Sequence, residues 1–157
     1  MKTKEVRIAD LWNKEKSKTL SEFIIGQSNK QTKERKLRNE LLSIQYKIED
    51  YIESDNETQK LNILDFVKMY LNTLNVTQRR LADLFEMKDS NLYKYLIGER
   101  KLNSTIVLKL SSFTELSPEL WLRIEVKNEL IEINKEKKKK KIYEKYNYQN
   151  LLAVPKD

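Results

Sequence analysis

Large apolar residues recur along this chain at intervals of three and four, the spacing of a helix face, and alternate only near the C-terminus. Val6, Ile8, Leu11 and Trp12 predict a short N-terminal helix, and Leu20 to Ile25 add an apolar cluster. GQSNKQTK, Gly26 to Lys33, has no large apolar residue and reads as a linker. From Lys33 to Glu53 the pattern sharpens: Leu37, Leu41, Ile44, Ile48 and Tyr51 fall on one stripe. That seam lasts two heptads, too short for an autonomous coiled coil. The helix is therefore expected to pack on the rest of the chain, on a dimer mate or on another protein.

ESDNETQ, Glu53 to Gln59, is a polar break, and beyond it Leu64, Val67, Leu71 and Leu74 mark a second helix face. From there to Ile133 the apolar residues come in bursts that predict helices of about eight to twelve residues joined by tight turns. The last segment, KIYEKYNYQNLLAV, stays open. A period of two fits Tyr146, Tyr148, Leu152 and Val154, whereas Tyr143 and Tyr146 suit a helix. Its tyrosines and aliphatics predict that it docks on something. The expected organisation is an N-terminal helical extension over 1–60, a compact domain over 61–133 and a lysine-rich tail over 134–157.

Composition narrows this further. Glycine and proline occur twice each in 157 residues, as Gly26, Gly98, Pro118 and Pro155. So few turn-formers cannot punctuate a sandwich or barrel or build a phosphate-binding glycine loop, and the chain reads as all-α. Histidine and cysteine are absent, which excludes disulfides, Cys/His zinc sites, thiol nucleophiles and imidazole bases. No enzyme, metal or cofactor is expected. Glu49, Asp50, Glu53, Asp55 and Glu57 cluster, but without a calcium-loop spacing or its glycine turn; they read better as an acidic surface for a basic protein. No apolar run reaches the length of a signal segment or membrane span, so a soluble cytoplasmic protein is expected.

The net charge is +7, distributed as +2 over 1–60, +1 over 61–130 and +4 over 131–157. A basic balance favours an acidic partner such as nucleic acid. The Lys137 to Lys141 run is either such a contact or a solvated helix end.

Specific chemistry is concentrated in TQRRLADLFEMKDSNLYKYLIG, residues 77–98. Thr77 can cap a helix in which Leu81, Ala82 and Leu84 face inward, with the small Ala82 permitting a steep crossing by a second helix. Met87 plugs the turn. Leu92, Tyr95 and Leu96 face inward on the second helix, leaving Ser90, Asn91, Tyr93 and Lys94 outside, although Tyr93 could pack partly beside Tyr95. Gly98 can adopt the left-handed conformation that ends this helix. Two short helices, an alanine at the crossing and an apolar plug describe a helix-turn-helix.

These residues resemble the lambda-repressor-type (XRE) helix-turn-helix family, and within it the HigA-type antitoxins. The resemblance rests on Thr77-Gln78 leading Leu81-Ala82, on Gly98 followed by Arg100 and Lys101, on Leu108-x-Leu110, and on SPELWL, Ser117 to Leu122. In the last motif Ser117 caps, Pro118 suits the first helical position and Trp121 is a large anchor. It covers about residues 61–130. Glu86 and Glu115 stand where the family has glycine, Lys88 replaces a serine cap that Asp89 could take over, and Leu120 replaces an aromatic.

What the resemblance implies is a five-helix lambda-repressor-like domain, acting as a homodimer on a palindromic double-stranded operator. It further implies autorepression and neutralisation of a small basic RelE-like toxin that cuts messenger RNA; a stand-alone regulator is the alternative. Ser90, Asn91, Tyr93 and Lys94 would then lie in the major groove, where Asn reads adenine and Lys reaches guanine or phosphate. Gln78, Arg100 and Lys101 would hold phosphates. The expected toxin surface is the stripe Leu37, Leu41, Ile44, Ile48 and Tyr51.

Overall fold

With two prolines in the whole chain, little interrupts a helix once it has begun. In the computed structural model every regular element among the described residues is helical, and no strand occurs among them. Residues 2–55 and 57–153 are described, with 2–13, 137 and 138 as backbone alone. The elements are α1 (Lys2–Glu53), α2 (Ile63–Leu74), α3 (Gln78–Leu84), α4 (Asp89–Leu96), α5 (Ser104–Thr114), α6 (Pro118–Lys135), α7 (Lys137–Tyr143), a 3-10 turn (Glu144–Tyr146) and α8 (Gln149–Leu152). None of the described helices is long and apolar enough to cross a membrane.

The chain divides into two units, Met1–Ser43 and Ile44–Asp157. The first is the greater part of α1. Its side chains from Lys14 to Ser43 are exposed except for a half-buried Leu41, and the exposed ones include Leu20, Phe23, Ile24 and Ile25. The linker expected at Gly26 to Lys33 is helical instead. A single interior glycine costs a helix only about 1 kcal/mol, and nothing in that segment forbids helical backbone angles. The Thr32 hydroxyl donates to the Ser28 carbonyl at 2.8 Å, within the helix. The expected helix over Val6 to Trp12 is part of α1, and its side chains lie outside the described residues.

The second unit starts inside α1, not at the expected boundary near residue 60. Ile44, Ile48 and Tyr51 are buried in its core, so three of the five residues assigned to the toxin stripe are structural. Leu37 is exposed and Leu41 half-buried. The end of α1 is tied down by polar bonds as well. The Tyr51 hydroxyl donates to Asn128 Oδ1 at 2.5 Å and accepts from the Leu61 N–H at 3.0 Å. Asn128 Nδ2 donates to the Leu61 carbonyl at 2.8 Å. The Lys127 ammonium donates to the Tyr51 and Ser54 carbonyls and lies 4.5 Å from the Tyr51 ring centre. A cation thus sits at the negative end of α1, where orphan carbonyls need donors.

The polar break is observed: α1 ends at Glu53 and α2 starts at Ile63 behind a capping box of Asn62 and Asp65. α2 packs on α4 and α6, α3 on α4, and α5 on α6. Phe66, Val67, Leu92, Leu96, Leu110, Trp121 and Ile124 form the centre of the core. Ser117 caps α6 and Pro118 occupies its first turn, as expected, and Trp121 is fully buried with its indole N–H unpartnered. Tyr70 packs its ring against Phe113, centres 6.3 Å apart, and burial pushes its phenol up to about 12.

Among the described residues three turns use left-handed residues other than glycine: Asn75, Glu86 and Glu115, with φ of 53°, 55° and 58°. Glu86 and Glu115 thus hold the left-handed geometry that favours glycine. At Glu86 the following Met87 N–H reaches back to the Ala82 carbonyl at 3.0 Å, the bond that closes a left-handed helix end.

Candidate nucleic-acid interface

The α3–turn–α4 segment is built by its apolar positions. Thr77 accepts from the Arg80 N–H at 3.3 Å and starts α3, as its hydroxyl predicts. Leu81 and Ala82 are buried, but Leu84 is 66% exposed and Phe85 takes the inward place. The reason is angular: positions 81, 82 and 85 share one side of a 3.6-residue helix, whereas 84 is rotated about 100° away from it. Lys109 closes the end of α3 by donating to the Phe85 carbonyl. Met87 is half-buried in the turn.

α4 presents two contrasting sides. Leu92 and Leu96 are fully buried, and Tyr95 is only partly so. Ser90 and Tyr93 are exposed, Asn91 and Lys94 half-exposed, all within the same two turns. Gly98, at φ 82°, ends the helix as expected, and the Arg100 N–H returns to the Lys94 carbonyl at 3.0 Å. The Arg100 guanidinium lies 5.9 Å from the centre of the Tyr95 ring.

Two assigned residues already have intramolecular partners. Gln78 Nε2 donates to Asp89 Oδ1 at 2.6 Å, linking the first turns of α3 and α4. Lys101 pairs with Glu129 at 2.8 Å, and that hydrogen bond raises its pKa. The expected substitute cap is not made either. Lys88 occupies the cap position of α4 without a side-chain bond, and Asp89 is the first helical residue. Its charge suits the positive helix end without accepting from the helix's own N–H groups.

Sequence reasoning missed Asp89 and Glu129 as the partners of Gln78 and Lys101. Gln78 and Asp89 each open consecutive short helices, which was a usable signal; the Lys101–Glu129 pairing depends on α6 packing and left none. Residues 77–101 carry six basic and four acidic side chains, so the interface has a modest positive field. Among the described residues no set of three His, Cys, Asp or Glu converges as a metal site. No protein-family model, no curated protein and no solved structure matches the chain.

Proposed function

We propose that the chain is a sequence-specific DNA-binding protein whose α3–turn–α4 acts as a helix-turn-helix within a five-helix, lambda-repressor-like arrangement formed by α2 to α6. The observation that carries this is α4 itself. Leu92 and Leu96 anchor one side, while Ser90, Asn91, Tyr93 and Lys94 offer donors and acceptors on the other. A helix so held can enter the major groove, where base edges carry a distinguishable code. Gln78, held by Asp89, fixes the start of α4 relative to α3. Arg100 and Lys101 contribute charge for phosphates, and Lys101 does so by exchanging Glu129 for phosphate. As a homodimer the protein would span half-sites about 34 Å apart and repress by occluding the promoter.

The fuller reading is an antitoxin that represses its own operon and neutralises a co-encoded RelE-like toxin. With Ile44, Ile48 and Tyr51 in the core, its toxin-binding surface belongs on the exposed Leu20, Phe23, Ile24 and Ile25 of α1. That same burial favours a second reading, a regulator with no toxin partner. Co-purification with the product of a neighbouring gene for a small basic protein separates the two.

The test of DNA recognition is fluorescence anisotropy with the duplex upstream of the gene and a scrambled duplex, over a salt series. Specific binding is expected to exceed non-specific by at least about a thousandfold. Asn91→Ala should cut that discrimination by about ten- to a hundredfold, and Lys101→Ala should lower the log–log salt slope by about one. Equal affinity for both duplexes refutes the proposal.

A further inference from the structure

The second unit carries two apolar surfaces that its own fold leaves uncovered. One lies on α6, whose apolar residues are spread around the helix among charged ones instead of gathering on one face. Trp121, Ile124 and Ile131 face the core, while Leu122, Val126, Leu130 and Ile133 are exposed. Four large aliphatic side chains in one exposed stripe make an apolar surface that a contact would cover. Beside the outward stripe runs a groove of about 530 Å³, whose walls include Ile52, Asp55, Glu57, Leu122, Val126 and Leu130.

The other surface is the C-terminal segment. Ile142, Tyr143, Tyr146, Tyr148, Leu151 and Leu152 are all strongly exposed, Leu151 to 82%. Yet the segment has a defined local shape. Asn150 Nδ2 donates to the Glu144 and Lys145 carbonyls at 3.4 and 2.8 Å, Asn147 Oδ1 accepts from the Gln149 N–H, and the Tyr143 and Tyr146 rings lie 5.9 Å apart. A folded segment that presents six large apolar side chains is built for contact.

The two surfaces are complementary in charge. Lys140, Lys141 and Lys145 outnumber Glu144 beside the tyrosines and leucines of the tail, while Lys139 is paired with Glu136 at 2.7 Å. At the groove Arg123 is paired with Glu119 at 3.4 Å, and the Lys127 ammonium is engaged by the Tyr51 and Ser54 carbonyls. Those carbonyls are neutral and leave the Lys127 charge in place, so Asp55 and Glu57 outweigh it by one and the lining is net negative. The tail of the same copy leaves α6 at Lys135, just past the Asn134 end of the groove, and its apolar side chains stand in solvent.

We propose that the C-terminal segment 142–152 of one copy packs into the groove between the end of α1 and α6 of a second copy, and reciprocally. The exchange covers both surfaces at once and closes into a two-fold dimer, with each interface repeated. This inference rests on the homodimer invoked in the DNA reading and gives it a geometry; discrimination between duplexes is measured separately, so the two can fail separately.

The experiment uses the full chain and two variants at exposed positions, Val126→Glu in the groove and Leu151→Glu/Leu152→Glu in the tail. Circular dichroism first confirms unchanged helicity. Sedimentation equilibrium at micromolar concentrations should find wild type dimeric and each variant monomeric, its dimer affinity lowered by at least about a hundredfold. Mixing the two variants should restore a dimer containing one of each by native mass spectrometry. In that pair, the intact tail of the groove variant meets the intact groove of the tail variant. A monomeric wild type overturns the proposal. So does a tail variant that dimerises normally, which would mean that α6 faces pair directly, and so does a mixture that stays monomeric.

Discussion

Replacing Glu86 and Glu115 by glycine should stabilise the fold. Both sit at φ near 55°, where an L side chain crowds its own backbone at a cost of roughly 1–2 kcal/mol. Glycine removes that cost but adds freedom to the unfolded chain, worth about 0.4–1 kcal/mol. The net expectation is about 0.5–1 kcal/mol per site. Each carboxylate also stands at the negative end of a helix, α3 or α5, so its loss adds a small favourable term. The two turns are separate, and the double variant should gain about 1–2 kcal/mol. Gly98→Ala is the mirror experiment. An added Cβ meets nothing within 4 Å, so only the backbone at φ 82° can object, and stability should fall by about 0.5–1 kcal/mol. Urea unfolding followed by circular dichroism at 222 nm measures all three, and the corresponding melting shifts are about 2–5 °C. Glu→Gly variants no more stable than wild type, with Gly98→Ala neutral, would refute the strain argument.

The buried Tyr70 phenol holds its proton up to about 12, whereas an unfolded tyrosine loses it near 10. Its contribution is complete below pH 10 and is lost as pH rises to 12, by about 2–3 kcal/mol, and Tyr70→Phe should flatten that alkaline fall in a urea-midpoint series. Trp121→Ala should cost about 3–5 kcal/mol, whereas Trp121→Phe should cost markedly less, because the indole N–H has no partner to lose. Gly26→Ala should raise the helical signal and stabilise α1 by about 0.5–1 kcal/mol, since its Cβ would enter open space; a drop in helicity would mean a break at that point.

The features legible from sequence are those fixed within a few residues. The scarcity of glycine and proline foretold an all-helical chain; Thr77, Ser117, Pro118 and Gly98 marked their helix ends; Leu92 and Leu96 were inward by spacing alone. Misreadings began where a residue's fate depends on distant ones. GQSNKQTK lacks apolar residues, but a helix entered from both ends tolerates poor formers, so composition alone suggested a linker. Leu84 and Phe85 are adjacent and both large, and the tilt of a seven-residue helix decided between them. The stripe Ile44–Ile48–Tyr51 was correctly seen as apolar, but the anchoring of Tyr51 by Lys127 and Asn128 of α6 involves partners more than seventy positions away. Likewise Lys101 reads as a free cation until α6 brings Glu129 beside it.

That α1 ends inside a core has a consequence for how the helix comes to exist. An isolated helix must fix a first turn before any residue is added favourably, a start disfavoured about a thousandfold. Here Ile44, Ile48 and Tyr51, locked by packing and by the Lys127 cap, supply that first turn ready-made. Each residue toward the N-terminus then needs only propagation. The helix grows backward from the domain, so amide protection should decline stepwise from Ile48 toward Lys14. Whatever grips the exposed Leu20 to Ile25 would extend the ordered length without having to start it.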